Sequence, residues 1–521
     1  MKPIRLIAGF LTVGVWTLLS RVLGFVRDIL IAGFLGAGPV AEAFLIAFAL
    51  PNMFRRFFAE GAFNMAFVPM FSKKLETGAD AEGFARDAFA GLATVLIVLT
   101  LVAQVIMPWL VLAMAGGFAD DGRLDLAVNY GRITFVYILF ISLAALASGV
   151  LNATGRFAAA AAAPVLLNVI LIAAVWLSTT DILGTPFVAQ ERTGLYLAWG
   201  VPIAGAAQLA LVWVAARGAG INLRPRLPRM TPELKRLTVI AAPAMLAGGV
   251  VQVNLLVGRQ VASFYDGAIA WLSYADRLYQ LPLGVVAIAL GVVLLPDLSR
   301  RLAAGDDAGG RDAFNRASEL ALALTIPAAV ALIVIPVPLV SVLFERGLFD
   351  SDDTAATALA VTVYGLGLPA FVLQKALQPL FFAREDTKRP FYYALVAMVV
   401  NAAVAIGLSI YIGYIAAALA TSIAAWVMVW QLWLGSRKMG EAAQFDPRFK
   451  SRLWRIVLAS LLMGVVLYIL MLLVGPALGL PGVRYAALAV IVVLGMVSYF
   501  AIGQMLGAFR LADFKTAVRR G

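Results

Sequence analysis

The sequence predicts an all-α polytopic membrane protein, and three observations carry that expectation. Hydrophobic residues make up 62% of the 521 and charged residues only 13%, against roughly half apolar and a quarter charged in soluble domains. The apolar runs are about 20 to 30 residues long, which suits membrane-crossing helices, whereas outer-membrane barrel strands are about 10 residues and alternate. Lysines and arginines fall mostly in alternate loops between those runs, as the positive-inside rule requires.

In chain order the runs give about fourteen transmembrane helices. Six lie near 6–35, 42–71, 87–115, 127–153, 157–179 and 194–216, and six more near 237–264, 268–298, 314–343, 356–383, 390–412 and 414–435. A last pair lies near 454–475 and 484–508. The opening MKPIRLIAGF is basic then apolar, like a signal peptide, but no small-residue cleavage site follows and the run continues through Arg21. It is read as a retained first span.

Basic residues gather at 72–86, 154–157, 217–236, 299–316, 384–389, 436–455 and 509–521. The opposite loops carry Asp120, Asp121, Asp181, Glu191, Asp266, Asp350, Asp352 and Asp353. Both termini are therefore expected in the cytoplasm, in keeping with an even number of spans. The same placement explains the net charge of +12 without nucleic acid as a partner. Cys and His are both absent, which excludes thiol chemistry, disulfides, the usual structural zinc sites and an imidazole pH switch. No metal and no cofactor is expected.

An internal repeat organises the chain. FVPMFSKKLETGADAEGFARDAF at 67–89 is similar to LLPDLSRRLAAGDDAGGRDAF at 294–314, and the loop around Gly155, Arg156 and Asn168 matches that around Lys388, Arg389 and Asn401. The repeat implies two six-helix lobes, 1–220 and 221–440, joined through the Pro- and Arg-rich segment 217–236, with 441–521 as an additional pair of spans. Lobes with an even number of spans share one orientation, so a pseudo-two-fold axis along the membrane normal should relate them.

Singled out within the spans are seven cations, Arg21, Arg27, Arg55, Arg56, Arg259, Arg277 and Lys375, with Asp28, Glu42, Glu60 and Asp276 as acidic companions. A cation at mid-helix costs roughly 2.5–3.5 kcal/mol on insertion scales, so such groups face protein or a watery cavity. Arg21 lies about 24 Å along a helix from Arg5, near the midplane. Arg55 and Arg56 sit at similar depth, and Arg27 and Arg277 in the outer half. Arg259 and Lys375, near span ends, read as snorkelling side chains.

Asn52, Arg56, Glu60 and Asn64 recur every fourth residue and make one polar stripe, in which Arg56 and Glu60 can pair. Pro51 suggests a kink just before it. Ser273, Arg277 and Gln280 share a face of a later span. Arg21 and Arg27 are about 120° apart on a straight helix; a bend or local unwinding at Gly24, midway, would aim both at one cavity. Arg21, Arg27, Arg55 and Arg277 together repel unless an anion sits among them, and the guanidinium fork suits phosphate oxygens. The chain has no P-loop and no recognisable catalytic constellation. Passage of a large anion through a two-lobed helical bundle, rather than catalysis, is the physical reading.

Three stretches add a resemblance. SRVLGFVRD at 20–28, LPNMFRRFFAEGAFNMAFVP at 50–69 and SYADRLYQLP at 273–282 resemble the signatures of the MurJ (MviN) lipid II flippases, in the multidrug/oligosaccharidyl-lipid/polysaccharide exporter superfamily. The resemblance runs over the whole chain. It implies a flippase of the bacterial cytoplasmic (inner) membrane that moves lipid II, the undecaprenyl-pyrophosphate-linked disaccharide-pentapeptide, from inner to outer leaflet by alternating access for peptidoglycan and cell wall biosynthesis.

It implies further that Arg21, Arg27, Arg55 and Arg277 line a central cavity. Asp28 and Glu60 stand at family acidic positions, and Glu42 stands where many members carry Asp. Asn52 and Arg56 complete the supporting set. The last two spans match those that form a groove for the polyprenyl tail. On this basis Arg27, Arg55 and Arg277 are expected to clamp the pyrophosphate while Arg21 shapes the field. Reset of the empty carrier is expected to draw on the membrane potential or on a monovalent ion at Asp28, Glu42 or Glu60. Membrane lipids and other cell-wall synthesis proteins are the remaining partners to consider.

An exporter of another polyprenyl-linked glycan, or a drug or cation antiporter, would use the same scaffold, though an organic-cation exporter should line its cavity with acids rather than arginines. A non-transporting scaffold for cell-wall enzymes would have no use for costly midplane arginines.

Overall fold

A computed structural model of the chain describes residues 6–56, 62–180, 188–224, 226–290 and 294–509. Regular structure among them is helical, apart from one isolated bridge between Arg346 and Phe349. The helices of the first half are α1 (Leu6–Leu35), α2 (Pro39–Arg55), α3 (Ala62–Glu76), α4 (Ala81–Met114), α5 (Arg123–Thr134), α6 (Tyr137–Ala153), α7 (Ala158–Ser178) and α8 (Ala189–Gly218). They are followed by α9 (Pro232–Ala262), α10 (Ala268–Ala289), α11 (Leu295–Ala303), α12 (Asp307–Val334), α13 (Pro336–Phe344), α14 (Ser351–Phe382), α15 (Lys388–Ile412) and α16 (Ile415–Ser436). The chain then adds α17 (Pro447–Leu478) and α18 (Val483–Met505).

Ten helical stretches of the described residues are long and apolar enough to cross a membrane. The four further expected spans, at 6–35, 42–71, 237–264 and 268–298, are not among them, so the expected total of fourteen is not established by length and composition alone. Three of them carry Arg21, Arg27, Arg55 and Arg277, and 237–264 carries Arg259.

Local sequence sets the helix starts. The Asp80 carboxylate accepts from the Gly83 N–H at 2.6 Å to cap α4, and Asp306 accepts from Gly309 at 2.8 Å to cap α12. The two caps lie at matching points of the similar segments 67–89 and 294–314, each preceded by a left-handed glycine, Gly78 or Gly305. Thr231 with Pro232 starts α9, and Asp446 with Pro447 starts α17. In each, the side-chain oxygen satisfies an orphan N–H while proline occupies a position that needs no donor.

By spatial proximity the chain forms two compact units. The first is Met1–Ala270 together with Arg346–Phe349. Within it α7 packs against α1 and α8, α2 against α5, and α9 against α3 and α4. The connector runs along α4, where Arg86 Nε donates to the Asn222 carbonyl at 2.7 Å.

The second unit is Trp271–Glu345 with Asp350–Gly521. In it α14 packs against α12, α13 and α16, α15 against α16, and α17 against α12 and α18. A core of Ile456, Ala459, Met463, Leu467, Ile491 and Tyr499 seats α17 and α18 on α12, and the Tyr499 hydroxyl donates to the Ala323 carbonyl at 2.5 Å. At one end of this contact the buried Glu319 of α12 pairs with Arg316, Arg448 and Arg452.

Candidate functional site

The helix α1 runs unbroken from Leu6 to Leu35, with no local unwinding at Gly24. Arg21 on it is exposed, whereas Arg27 and Asp28 are only 6% and 7% exposed. Neighbouring residues on a helix project about 100° apart, yet the long Arg27 side chain folds back. Its Nε and Nη2 both donate to Oδ1 of Asp28, at 2.9 and 2.6 Å. Nη1 donates to Oδ1 of Asn168 on α7 at 2.9 Å, and the guanidinium lies 5.7 Å from the Phe48 ring centre on α2. A buried cation is tolerable when a carboxylate and further hydrogen bonds neutralise it, and Arg27 has both.

Gly24 serves this arrangement by its size. The Asn168 Nδ2 donates to the Ser20 carbonyl at 2.8 Å, so the amide bridges Ser20 and Arg27 across about two turns of α1. A Cβ at position 24 would meet that amide at 3.5 Å. The small residue lets α7 approach, and the helix keeps its hydrogen bonding.

On α2 the proline does not leave a bare carbonyl. Pro51 has no N–H for the Ala47 oxygen four residues back, and the hydroxyl of buried Thr134 on α5 donates to that oxygen at 2.8 Å. Asn52 Nδ2 donates to the Phe48 carbonyl of its own helix at 2.8 Å. Arg55 is half-buried and Arg56 exposed at the end of the helix, with Phe54 edge-on to Phe135 just after α5. Glu60, expected to pair with Arg56, lies outside the described residues.

Glu42 occupies a different setting from Arg27. It is 1% exposed at the start of α2; its Oε2 accepts from Arg123 Nη1 at 2.8 Å and its Oε1 from the Ile269 N–H at 3.1 Å. Arg123 also pairs with Asp121 at 2.6 Å and Asp266 at 3.2 Å, over the Phe118 ring. Burial raises the Asp121 carboxyl, but the Arg123 side chain and backbone hydrogen bonds and the Arg123 charge outweigh it and hold the carboxyl below the ordinary aspartate value. Nearby, the Gly117 N–H donates to the Ser263 hydroxyl at 2.9 Å. Glu42 thus ties α2, α5 and the α9–α10 turn together.

The same unit holds a tight backbone junction. The Leu348 N–H donates to the Gly33 carbonyl of α1 at 2.9 Å. Gly347 has φ +59°, and a Cβ there would collide with the Gly33 carbonyl oxygen; at Gly36 (φ +63°) a Cβ would come within 2.6 Å of the Leu348 oxygen.

Arg277 belongs to the second unit, on α10, where it is exposed. One helical turn joins Asp276 to Gln280, whose Nε2 donates to the carboxylate. Buried Tyr274 packs on Phe344, and Tyr279 lies 4.8 Å from Tyr364 and 5.4 Å from Phe371, centre to centre. These aromatics fix the helix that presents Arg277. Arg259 is half-buried on α9 and Lys375 exposed on α14.

Of the predicted site residues, the first unit therefore brings together Arg27 and Asp28, and places Glu42 in a separate network. Asn168, Arg123 and Thr134 were not singled out as site residues. Asn168 had a signal, its match to Asn401 in the repeat; Arg123 lay between the expected spans, and Thr134 had none.

The family model described as lipid II flippase MurJ matches residues 31–493. A protein of Rhizobium meliloti (strain 1021), named "Probable lipid II flippase MurJ", is 44% identical over 529 residues, covering 99% of this chain and 97% of that protein. Among solved structures, "Lipid II flippase MurJ, inward closed conformation" superposes with a TM-score of 0.78 at 26% identity, covering 95% of this chain and 98% of that one. An inward-facing multidrug resistance transporter of the MATE family in the MOP superfamily shares the fold, with a TM-score of 0.65 at 15% identity over 81% of this chain and 95% of that one.

Proposed function

The chain belongs to the lipid II flippase MurJ family, and from that premise we propose how its charged residues move the substrate. It is a lipid II flippase, a multi-pass membrane transporter and not an enzyme. We place it in the bacterial cytoplasmic membrane, with both termini in the cytoplasm, because the basic loops alternate with acidic ones along the chain.

The observation that carries the mechanism is the Arg27–Asp28 pair held by Asn168. Arg27 is tolerated in a buried position because Asp28 stands where an anionic ligand could stand. In the empty carrier Asp28 substitutes for the pyrophosphate. As the headgroup arrives, phosphate oxygens replace the carboxylate at Nε and Nη2, with Asn168 keeping hold of Nη1. Arg55 and Arg277 supply the remaining bidentate contacts, and Arg21 adds to the positive field. On release, Asp28 recaptures Arg27, which favours product departure.

No cofactor is needed for this exchange. Asp28 and Glu42 are already committed to Arg27 and Arg123, which favours the membrane potential over a bound monovalent ion as the source of reset. A negative interior draws the arginine-bearing empty carrier back toward the cytoplasm, at about 2.3 kcal/mol per charge per 100 mV for a full crossing. The polyprenyl tail stays in the bilayer beside α17 and α18, and cell-wall synthases are the protein partners that would consume the exported precursor.

The test is leaflet-specific labelling of lipid II in cells depleted of their own flippase. Expression of this chain is expected to restore labelled lipid II in the outer leaflet, and its continued retention inside would refute the proposal.

A further inference from the structure

Where α15 begins and α16 ends, a cleft of about 600 Å³ is lined by Arg389, Tyr393, Leu434, Gly435, Arg437 and Lys438. Three cations share it, and one acid answers them: Asp386 lies 3.3 Å from Arg389. No described carboxylate lies within ion-pair reach of Arg437 or Lys438. We propose that this cleft binds the phosphate of an anionic phospholipid headgroup, a site separate from the arginines of the transport path.

The internal repeat supplies a control. The counterpart of Arg389 in the first half is Arg156, whose Nη1 donates to the Gly218 carbonyl at 2.8 Å and so caps the end of α8. After α16 a different residue, Arg384, serves the turn, its Nη2 donating to the Met439 carbonyl at 2.8 Å, three residues past the helix. Arg389 is thereby spared for the cleft. Helix C-termini favour cations, and loops of this orientation are basic. Neither fact explains why a different arginine serves the turn after α16 while the repeat-matched one is left beside two more cations.

The shape suits a lipid rather than a solute. Arg437 stacks 4.9 Å over the Trp433 ring, which fixes its plane and leaves its N–H edges to donate. Trp426, Trp430 and Trp433, spaced four and three apart, are exposed along one face of α16, and Phe391 and Tyr392 are exposed on α15 beside the cleft. Such aromatics mark the level of the headgroups, and basic pockets between membrane helices at that level hold phosphorylated headgroups. Gly435 lets the Tyr393 ring rest on α16, since a Cβ there would meet the phenol oxygen at 2.5 Å.

The experiment uses the full chain in phosphatidylcholine nanodiscs doped with phosphatidylglycerol, with retained lipid counted by native mass spectrometry. Combined R389Q, R437Q and K438Q should lower phosphatidylglycerol retention about tenfold, while R156Q leaves it within about twofold of the parent, and R389K with R437K should keep most of it. If the triple variant does not fold, R437Q and K438Q singly, both at exposed positions, should each lower retention about threefold. Parent-like retention in the neutralised variants would overturn the site. Inorganic phosphate, titrated as a competitor, should displace little phosphatidylglycerol; full displacement at equal concentration would assign the cleft to free phosphate and overturn the lipid reading.

Discussion

Arg27 and Asn168 are joined by a 2.9 Å hydrogen bond from Nη1 to Oδ1 that ties α1 to α7. Together with Asp28 it converts a costly buried cation into a neutral, hydrogen-bonded cluster. Removing the carboxylate should hurt more than removing the amide. Asp28→Asn is expected to destabilise by about 3–5 kcal/mol, because an uncompensated charge remains buried, and Asn168→Ala by about 1–3 kcal/mol. Replacing both charges, as R27M with D28L, should recover most of the stability yet abolish transport. Thermal unfolding in detergent, read beside a flipping assay, checks both halves; a double variant that still flips lipid II would contradict the role of Arg27.

Gly24 gives a second expectation. Its Cβ position lies at ordinary contact distance from the Asn168 amide, within a continuous helix. Gly24→Ala should therefore change stability by no more than about 1 kcal/mol and leave translocation intact. Gly24→Leu should expel the Asn168 amide and mimic Asn168→Ala. Loss of flipping in the alanine variant without loss of stability would show that Gly24 is a hinge after all.

The junction of α1 with the turn at 346–349 should be far less forgiving. Gly347 combines a left-handed φ with a Cβ path blocked by the Gly33 carbonyl. Gly347→Ala is expected to cost about 1–2 kcal/mol for the backbone alone, plus the displacement of the turn. Gly305→Ala has the same sign of φ and open space around it, so it isolates the first of these costs. Equal melting temperatures for the two variants would contradict the collision.

Acid should loosen the network that holds Glu42. Arg123 holds the Asp121 carboxyl below the ordinary aspartate value, against the opposing effect of burial. A group whose folded pKa is depressed stabilises the fold above its unfolded pKa, and loses that contribution as pH falls through the folded pKa. Acidification below about pH 5 should therefore lower the melting temperature of the parent more steeply than that of Asp121→Asn. The side chain is 39% exposed, so solvent screening keeps the difference small. Identical acid slopes would remove Asp121 from the network's energetics.

Much of this was legible in the residues because membrane insertion makes sequence speak plainly. Long apolar runs and loop charges are local signals, and the helices follow them. The candidate arginines were legible for the same reason: a guanidinium in an apolar run is an expense that needs an explanation. What escaped was pairing across distance. Asn168 reaches Arg27 over 141 positions, and Arg123 reaches Glu42 over 81, so neither contact has a local pattern. The bend or unwinding imagined at Gly24 failed in its second form for a related reason, because the partner that explains the glycine sits on another helix.

The mechanism stands or falls on whether the arginines of the spans handle the substrate, and Arg277 offers the cleanest probe because it is exposed and lies on a helix braced by Tyr274 and Tyr279. The measurement is leaflet-specific labelling of lipid II in flippase-depleted cells that express Arg277→Ala, with Lys375→Ala as the matched control. Normal membrane levels of both variants, with outer-leaflet lipid II lost only in Arg277→Ala, is the expected result. Full translocation by Arg277→Ala would contradict it.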